Sequence, residues 1–237
     1  MNEKIKLSVK ISELVEEAIR TLRTNIQFCN ADKMIKTICL TSCMPNEGKS
    51  VTTMNLAISM ANSNKKVLHI DADMRKPRQY KDISAKFNAG LSNYLSGMAE
   101  CDEIISETNI DNLQLILCGP KPPNPTELLG TARFKELLDT LKDKYDYIII
   151  DTPPLGSMID AAIVASRSDG TILLIAYKAI DFKRENKVKE QLEKANANII
   201  GVVLNKIPRK DYKDYYYYNY HYRQNLNRRS KKNDITF

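Results

Sequence analysis

Long apolar runs are absent from this 237-residue sequence, and none approaches the ~18 residues that a membrane-spanning helix needs. Residues 1–10 alternate charged and single apolar side chains and lack the apolar core of a signal peptide. The five cysteines include no Cys-x-x-Cys pair, which predicts neither a disulfide framework nor a zinc site. With two histidines, no Ser–His or Cys–His nucleophile pair can be argued. We therefore expect a cytoplasmic protein that is neither secreted nor anchored by its own helix.

Positive charge is distributed unevenly. The chain carries 36 basic and 29 acidic residues, a net charge of +7. Residues 206–237 contain nine basic and three acidic residues, so this segment alone has a net charge of +6. The remainder is close to neutral, which argues against a basic DNA-binding face and predicts no nucleic-acid partner. Residues 209–237 also have few aliphatic side chains, which predicts a disordered C-terminal tail.

Short apolar runs predict the buried strands of an α/β fold. The runs are nearly continuous instead of alternating, which is typical of a parallel sheet covered on both faces. Segments of helical length separate most of them (51–62, 134–144 and 183–196), so we predict a mostly parallel, twisted sheet with helices on both faces. The proline-rich stretch 118–125 predicts a rigid surface loop. The predicted strands are residues 35–41, 67–70, 113–117, 147–150, 171–176 and 199–204.

Residues 12–28 predict an N-terminal helix. Ser12 can cap it, and acidic side chains suit its first turn. Apolar side chains cover one arc, whereas Glu17, Arg20 and Arg23 fall together on the opposite side. This charged row is either a solvated face with intrahelical pairs or a contact patch between subunits.

Residues 42–50 (Ser-Cys-Met-Pro-Asn-Glu-Gly-Lys-Ser) form a Walker A phosphate-binding loop between a predicted strand and a predicted helix. Successive backbone N–H groups and the helix N-terminus surround a β-phosphate in such a loop. Gly48 permits close approach of the main chain, Lys49 reaches the β- and γ-phosphates, and Ser50 ligates Mg²⁺. Cys43 replaces the usual first glycine. The predicted nucleotide-binding residues are Cys43, Asn46, Glu47, Gly48, Lys49, Ser50, Val51, Arg75 and Asn205.

Two further predicted strands end in carboxylates. Asp71 and Asp73 follow one strand, and Asp151 follows another in a Walker B pattern. The carboxyl ends of parallel strands meet at one edge of the sheet, where ligands bind. Three carboxylates at a phosphate site need a cation, and Mg²⁺ fits them. The predicted magnesium ligands are Ser50, Asp73 and Asp151, and the predicted catalytic residues are Lys49, Asp71, Asp73 and Asp151.

Seven of the twelve tyrosines are clustered in the C-terminal tail, where the sequence offers nothing to pack around them. Such a cluster is either a base-stacking platform with basic neighbours or a set of phosphate acceptors. The seven are Tyr212, Tyr215, Tyr216, Tyr217, Tyr218, Tyr220 and Tyr222.

Together these motifs resemble the bacterial tyrosine kinases (BY-kinases), in the form made as a separate subunit beside a membrane activator. The resemblance covers nearly the whole chain, and the second Asp-x-Asp motif combined with a terminal tyrosine cluster is its most specific part. Cys43 and His69 depart from the family pattern without removing a ligand. The matching segments are Glu17-x-x-Arg20-x-x-Arg23, the Walker A loop, Asp71-x-Asp73-x-Arg75, residues 123–129, residues 148–153 and the tail tyrosines.

The resemblance implies a P-loop NTPase fold in three parts: an oligomerisation segment (1–30), a kinase domain (31–207) and a flexible tyrosine-rich tail (208–237). It implies ATP and Mg²⁺ as cofactors and autophosphorylation of the tail, in trans. It also implies a role in capsular or extracellular polysaccharide synthesis and export. The partners implied are a transmembrane activator that recruits the chain to the membrane, a cognate tyrosine phosphatase, and other copies of the chain. These copies would form a ring, an octamer in this resemblance, through Glu17, Arg20 and Arg23.

The main alternative is a P-loop ATPase of the partition or division-site type, without kinase activity. Such ATPases share the predicted sheet, but they resemble one another in carrying a second lysine where Met44 stands here, and they lack a tyrosine-rich tail. A second alternative is a nucleic-acid-binding module that uses the basic, aromatic tail. The Gly-rich loop, His-Arg-Asp and Asp-Phe-Gly signatures of the other protein-kinase class are absent.

Overall fold

The computed structural model describes residues 4–7, 11–29, 34–76, 89–178, 182–208 and 210–211. The strands in these ranges are β1 (Thr37–Ser42), β2 (Val67–Asp71), β3 (Ile105–Glu107), β4 (Leu113–Ile116), β5 (Tyr147–Asp151), β6 (Gly170–Ala176) and β7 (Ile199–Asn205). They form one sheet of order β3-β4-β2-β5-β1-β6-β7. Every neighbouring pair is parallel except β3 with β4. The predicted mostly parallel sheet is confirmed.

Helices cover both faces of this sheet, as predicted. On one face, Ile38 and Leu40 of β1 share an apolar cluster with Leu56 from the helix that follows. On the other, Cys39 shares a cluster with Phe134. Successive side chains of a strand therefore reach two separate cores, which explains the continuous apolar runs. The helices are α1 (Glu13–Cys29), α2 (Lys49–Ala61), α3 (Leu91–Leu95), α4 (Pro125–Gly130), α5 (Ala132–Lys144), α6 (Asp160–Ser166) and α7 (Phe182–Lys194), with a 3-10 helix at Cys101–Glu103.

Several short elements differ from the sequence prediction. The antiparallel edge strand β3 has only three residues and no apolar run, so the sequence pattern did not predict it. The stretch 118–125 was predicted as a surface loop; residues 119–124 do form a loop at the surface, but Cys118 and Pro125 at its ends are buried, and Pro125 is the first residue of α4. Proline fits that position because its missing N–H would be unbonded there in any case.

The order of the strands creates a crevice beside β1. From β1 the chain continues to β2, toward the β3 edge of the sheet. From the adjacent β5 it continues to β6, toward the β7 edge. Neighbouring strands with connections in opposite directions open a crevice at their carboxyl ends, and ligands of α/β sheets bind there. The Walker A loop follows β1, and the Walker B aspartate ends β5.

Candidate active site

The Walker A loop has the backbone shape of a phosphate cradle. Asn46 has a φ of 63° and Gly48 a φ of 99°, and α2 begins at the next residue, Lys49. The Glu47 side chain is buried and holds the loop in this shape. Its carboxylate accepts hydrogen bonds from Met44 N (2.8 Å) and from Ala176 N at the end of β6 (3.2 Å). The side chain of Glu47 therefore fixes the loop, which leaves its main chain to face a ligand.

Asn205, the last residue of β7, supports the loop from the other side. Its side-chain amide donates a hydrogen bond to the Glu47 carbonyl (2.8 Å). A Cβ atom built on Gly48 would lie only 2.3 Å from that amide nitrogen. Asn205 is thus in direct contact with the predicted nucleotide loop, although 158 residues separate it from Glu47 in the chain.

Cys43 interacts with the loop after β5 through its main chain. Its side chain is buried, and its carbonyl oxygen accepts a hydrogen bond from Gly156 N (3.1 Å). A Cβ atom on Gly156 would lie 2.2 Å from this oxygen, so the two loops approach as closely as glycine allows. The cysteine in place of the usual glycine is accommodated without strain, since its φ is not positive.

Asp71 and Asp151 end neighbouring strands in direct register. Their Cα positions are paired in the sheet, and both side chains are at most 3% exposed. Ala72 N donates to the Asp151 carbonyl (2.8 Å), which continues the pairing past the strand ends. Asp73 N donates to Asp71 Oδ1 (3.1 Å), so the main chain of Asp73 is bonded to the first carboxylate of the motif. The structure thus brings these predicted residues to one edge of the sheet.

Lys49 lies in the same region. Its side chain is only 7% exposed, and its charge acts on Asp73. Burial raises the pKa of Asp73 above its ordinary value, although a hydrogen bond from Lys76 N and the Lys49 charge both act to lower it. Ser50 is the second residue of α2, beside Lys49, and Val51 is half exposed at the rim.

Arg75 makes contacts that the sequence did not predict. Its guanidinium bonds both carboxylate oxygens of Asp160 (2.5 and 3.0 Å) and the hydroxyl of Thr126 (2.8 Å). Burial acts to raise the pKa of Asp160, but the hydrogen bonds from Arg75 and Thr126 outweigh it, so this pKa lies below its ordinary value. Thr126 belongs to the Pro-Asn-Pro-Thr stretch, and Asp160 stands at a helix start. Nothing in the sequence connects either of them to Arg75.

Comparison with known proteins places the chain in a family. Residues 35–197 match the family described as AAA domain. The tyrosine-protein kinase CpsD of Streptococcus agalactiae is 40% identical over 210 residues, which cover 86% of this chain and 89% of that protein. The tyrosine-protein kinase YwqD of Bacillus subtilis is 36% identical over 205 residues, 86% of each chain.

The chain belongs to the bacterial tyrosine kinases. Among solved structures, the kinase domain of the Escherichia coli tyrosine kinase ETK superposes on this kinase with a TM-score of 0.78 and 34% identity, covering 82% of this chain and 76% of that one. The cell-division ATPase MinD of Pyrococcus furiosus has a TM-score of 0.61 and 26% identity, over 76% and 79%. The division-site ATPases are therefore more distant relatives that share the P-loop fold, and the predicted fold class and kinase family are confirmed.

The charged row on α1 of this kinase is divided between two environments. Arg20 bonds Glu16 (2.6 Å) and lies 3.9 Å from Glu17, with all three side chains about half exposed. Arg23 instead donates to the carbonyl and hydroxyl of Ser59 on α2 (2.6 and 3.2 Å). The predicted subunit contact through these residues stays a prediction. The seven tail tyrosines lie outside the described residues.

The residues of this kinase fit a magnesium nucleotide. The positive-φ loop and the start of α2 direct backbone N–H groups to one place, as a phosphate requires. The nearby donors are a serine hydroxyl and carboxylates, the oxygen ligands that Mg²⁺ prefers. In the described part of the chain, no three His, Cys, Asp or Glu side chains form a metal cage on their own. When Mg²⁺ binds together with a nucleotide, it keeps several waters and takes phosphate oxygens as ligands.

Proposed function

We propose that this kinase transfers the γ-phosphoryl group of ATP to tyrosine hydroxyls of its own C-terminal tail, with Mg²⁺, and that it acts on the tail of a neighbouring subunit. The observation that carries the proposal is the convergence of the Walker A loop with Asp71 and Asp151, paired in register at the same sheet edge. Kinase relatives of nearly equal length support the choice of a tyrosine as acceptor.

Each site residue has a distinct part in this proposal. The loop amides and Lys49 bind the phosphates, while Ser50, Asp73 and Asp151 would hold Mg²⁺, which neutralises charge on the transferred group. Asp71 orients the tyrosine hydroxyl or accepts its proton. A bond then forms between the tyrosine oxygen and the γ-phosphorus, and the bond to the β–γ bridging oxygen breaks. Because the transition state is loose, positioning matters more than the strength of the base.

Replacing Asp71 with asparagine separates binding from transfer. Asp71→Asn should abolish tyrosine phosphorylation while nucleotide binding survives, because the phosphates are bound by other residues. Calorimetric titration with ADP and Mg²⁺, beside a phosphotyrosine assay, measures the two separately. Lost binding, or phosphorylation at the wild-type rate, would contradict this role.

Transfer between subunits can be tested by mixing two variants. Asn205 and Tyr218 are 13 residues apart, a reach of up to ~45 Å, which permits either route. A Lys49→Met chain keeps its tail but loses a phosphate-binding lysine, whereas a chain ending at residue 208 keeps its site but lacks the seven tail tyrosines. Phosphate on the Lys49→Met chain in the mixture indicates transfer in trans. In a second mixture, wild-type chain is diluted into excess Lys49→Met chain. If only the wild-type chains become labelled there, transfer is in cis.

The ATPase alternative differs in the covalent product. After incubation with ATP and Mg²⁺, the intact mass of a kinase rises in steps of one phosphate group, and the mass of a partition-type ATPase does not change. The seven tail tyrosines changed together to phenylalanine provide the control. A wild-type chain that hydrolyses ATP without gaining mass would favour the ATPase.

The proposed cellular role is the regulation of capsular or extracellular polysaccharide synthesis and export. None of the described helices is long and apolar enough to span a membrane. One similar solved structure is the chimerical protein CapA2B2, with 36% identity and a TM-score of 0.76 over 81% of this chain and 85% of that one. From the family resemblance, we propose a separate transmembrane activator that recruits the chain to the inner membrane face. We also propose a cognate phosphatase that removes phosphate from the tail tyrosines. By family resemblance, the chains themselves form a ring, an octamer.

A further inference from the structure

Beside the predicted magnesium ligands, three side chains from three elements form what we call the Arg75 network. Arg75 follows β2, Thr126 lies in the first turn of α4, and Asp160 is the first residue of α6. Asp160 Oδ2 accepts from Arg75 Nε (2.5 Å), and Asp160 Oδ1 accepts from Arg75 (3.0 Å) and from Thr126 Oγ1 (2.5 Å). The Asp160 side chain is 1% exposed and that of Arg75 is 33% exposed. Every member thus bonds the other two.

The network joins the two loops that carry the carboxylates. Arg75 lies two residues after Asp73, within a turn in which Lys76 N donates to Asp73 Oδ1 (3.1 Å). Asp160 is the first residue after the loop that follows Asp151. The network therefore joins the turn after β2 to the C-terminal end of the loop after β5, in addition to the bond between Ala72 and Asp151 at the strand ends.

Stability alone is a poor reason for this arrangement. A buried ion pair is often no more stabilising than apolar side chains of the same volume, because both charges lose their hydration. A planar, two-bond contact between Arg and a carboxylate does, however, fix direction as well as distance. The carboxylate of Asp160 also determines the position of the Arg75 guanidinium. The charge of Asp73 already acts on Arg75, so without the Asp160 charge the guanidinium would be drawn toward Asp73.

We propose that Asp160 and Thr126 are positioning residues of the magnesium site, and that they act through Arg75 to keep Asp73 directed at the metal. This inference rests on the proposed function, since it assumes that Asp73 and Asp151 hold Mg²⁺. In this proposal, Asp160 and Thr126 do not themselves touch the reacting atoms. Second-sphere partners of this kind typically contribute 10–100-fold to metal affinity.

The variant Asp160→Asn keeps the shape of the side chain and removes its charge. We expect it to raise the Mg²⁺ concentration that half-saturates ADP binding by about tenfold or more. At saturating Mg²⁺, kcat should fall while KM for ATP changes little, because the phosphate contacts are intact. Thr126→Val should act in the same direction with a smaller effect, and Thr126→Ser, which keeps the hydroxyl, should restore wild-type behaviour.

The matched control is the ion pair between Lys142 and Asp169, at the opposite ends of the strands. Lys142 Nζ lies 2.7 Å from Asp169, and both side chains are about a quarter exposed. Asp169→Asn should lower stability without changing the magnesium requirement. The experiment is calorimetric titration of the full chain with ADP over a series of Mg²⁺ concentrations, beside thermal unfolding of each variant.

A higher magnesium requirement in Asp160→Asn and Thr126→Val, with Asp169→Asn like the wild type, supports the inference. Lower melting temperatures with an unchanged requirement would overturn it and leave the network a purely structural one. If Asp160→Asn does not fold, the Thr126→Val and Thr126→Ser pair decides by the same criterion. A wild-type chain that binds ADP with Mg²⁺ but never gains phosphate would overturn the proposed function and not this inference.

Discussion

Gly48 is the residue on which two independent constraints meet. Its φ of 99° lies in the left-handed region, which costs other residues about 1–2 kcal/mol. Its missing Cβ also leaves room for the Asn205 amide, which would otherwise lie 2.3 Å away. An alanine there would have to displace the hydrogen bond between Asn205 and Glu47. The glycine is therefore needed both for its positive φ and for the close contact with the Asn205 amide.

We predict that Gly48→Ala loses nucleotide binding and that Gly97→Ala does not. Gly97 also has a positive φ, 75°, but a Cβ there would meet no atom within 4 Å. Both changes should therefore cost a similar backbone term of about 1–2 kcal/mol in urea unfolding. Only Gly48→Ala should fail to bind ADP in calorimetry. Equal ADP affinity in the two variants would mean that the loop tolerates the extra carbon atom.

Among the described residues, Asp169 is a carboxylate with several hydrogen-bond donors that lies away from the candidate site. It accepts hydrogen bonds from Lys36 N (3.0 Å), Thr37 N (2.8 Å) and Lys142 Nζ (2.7 Å), which join the start of β1 to the end of α5. Burial acts to raise the pKa of Asp169, but these bonds, with that from Lys142 first among them, outweigh it and lower the pKa. The ionised form is therefore stabilised by folding.

From this lowered pKa we predict a pH-dependent stability contribution. It is fully present above the unfolded-state pKa of about 3.9 and is lost as the pH falls through the lower folded-state pKa. Asp169→Asn should then destabilise the chain by about 1.5–3 kcal/mol at pH 7, the usual contribution of hydrogen bonds to a charged group. The difference in urea unfolding between variant and wild type should shrink below about pH 4. A difference that does not change over this range would assign the effect to packing.

At the scale of elements, the sequence predicted what depends on neighbours in the chain. Continuous apolar runs located six strands, and the Walker and Asp-x-Asp motifs located Lys49, Asp71 and Asp151 at the carboxyl edge of the sheet. The elements it missed, such as β3 and α6, are three to seven residues long and depend on tertiary packing for their stability. The contacts of Asn205 with Glu47 and of Asp160 with Arg75 join residues 158 and 85 positions apart. No local pattern can reveal such pairs.

Helix α1 was predicted from its apolar arc, and the structure shows which of its residues anchor it. Ile26 is 2% exposed in the same apolar cluster as Met54 and Leu56 of α2, whereas Phe28, two residues later, is 74% exposed. We predict that Ile26→Ala lowers the free energy of unfolding by about 2–4 kcal/mol through the cavity it leaves. Phe28→Ala, although it removes a larger side chain, should change it by less than about 0.5 kcal/mol. Urea denaturation measures both, and equal effects would show that α1 is not anchored on α2 in solution.

At the scale of the whole molecule, charge is the property that phosphorylation changes most. The segment 206–237 has a net charge of +6, and each phosphotyrosine adds about −1.5 to −2. Four phosphates would add about −6 to −8, which is enough to reverse the sign. A positive tail is attracted to the carboxylates of a neighbouring site, and a negative one is repelled by them. If phosphoryl transfer occurs in trans, as proposed, a tail bound in the site of a neighbouring chain links the two chains, so this reversal should weaken the oligomer.

We therefore predict that the phosphorylated chain sediments more slowly than the unphosphorylated chain at the same concentration. Analytical ultracentrifugation after incubation with ATP and Mg²⁺ measures this, and the seven-fold Tyr→Phe variant treated in the same way controls for nucleotide binding alone. Since surface charges are screened by salt, the difference should narrow as the ionic strength rises. Equal sedimentation of both forms at low salt would refute the charge argument. A difference that also occurs in the Tyr→Phe variant would attribute dissociation to nucleotide turnover and not to the tail.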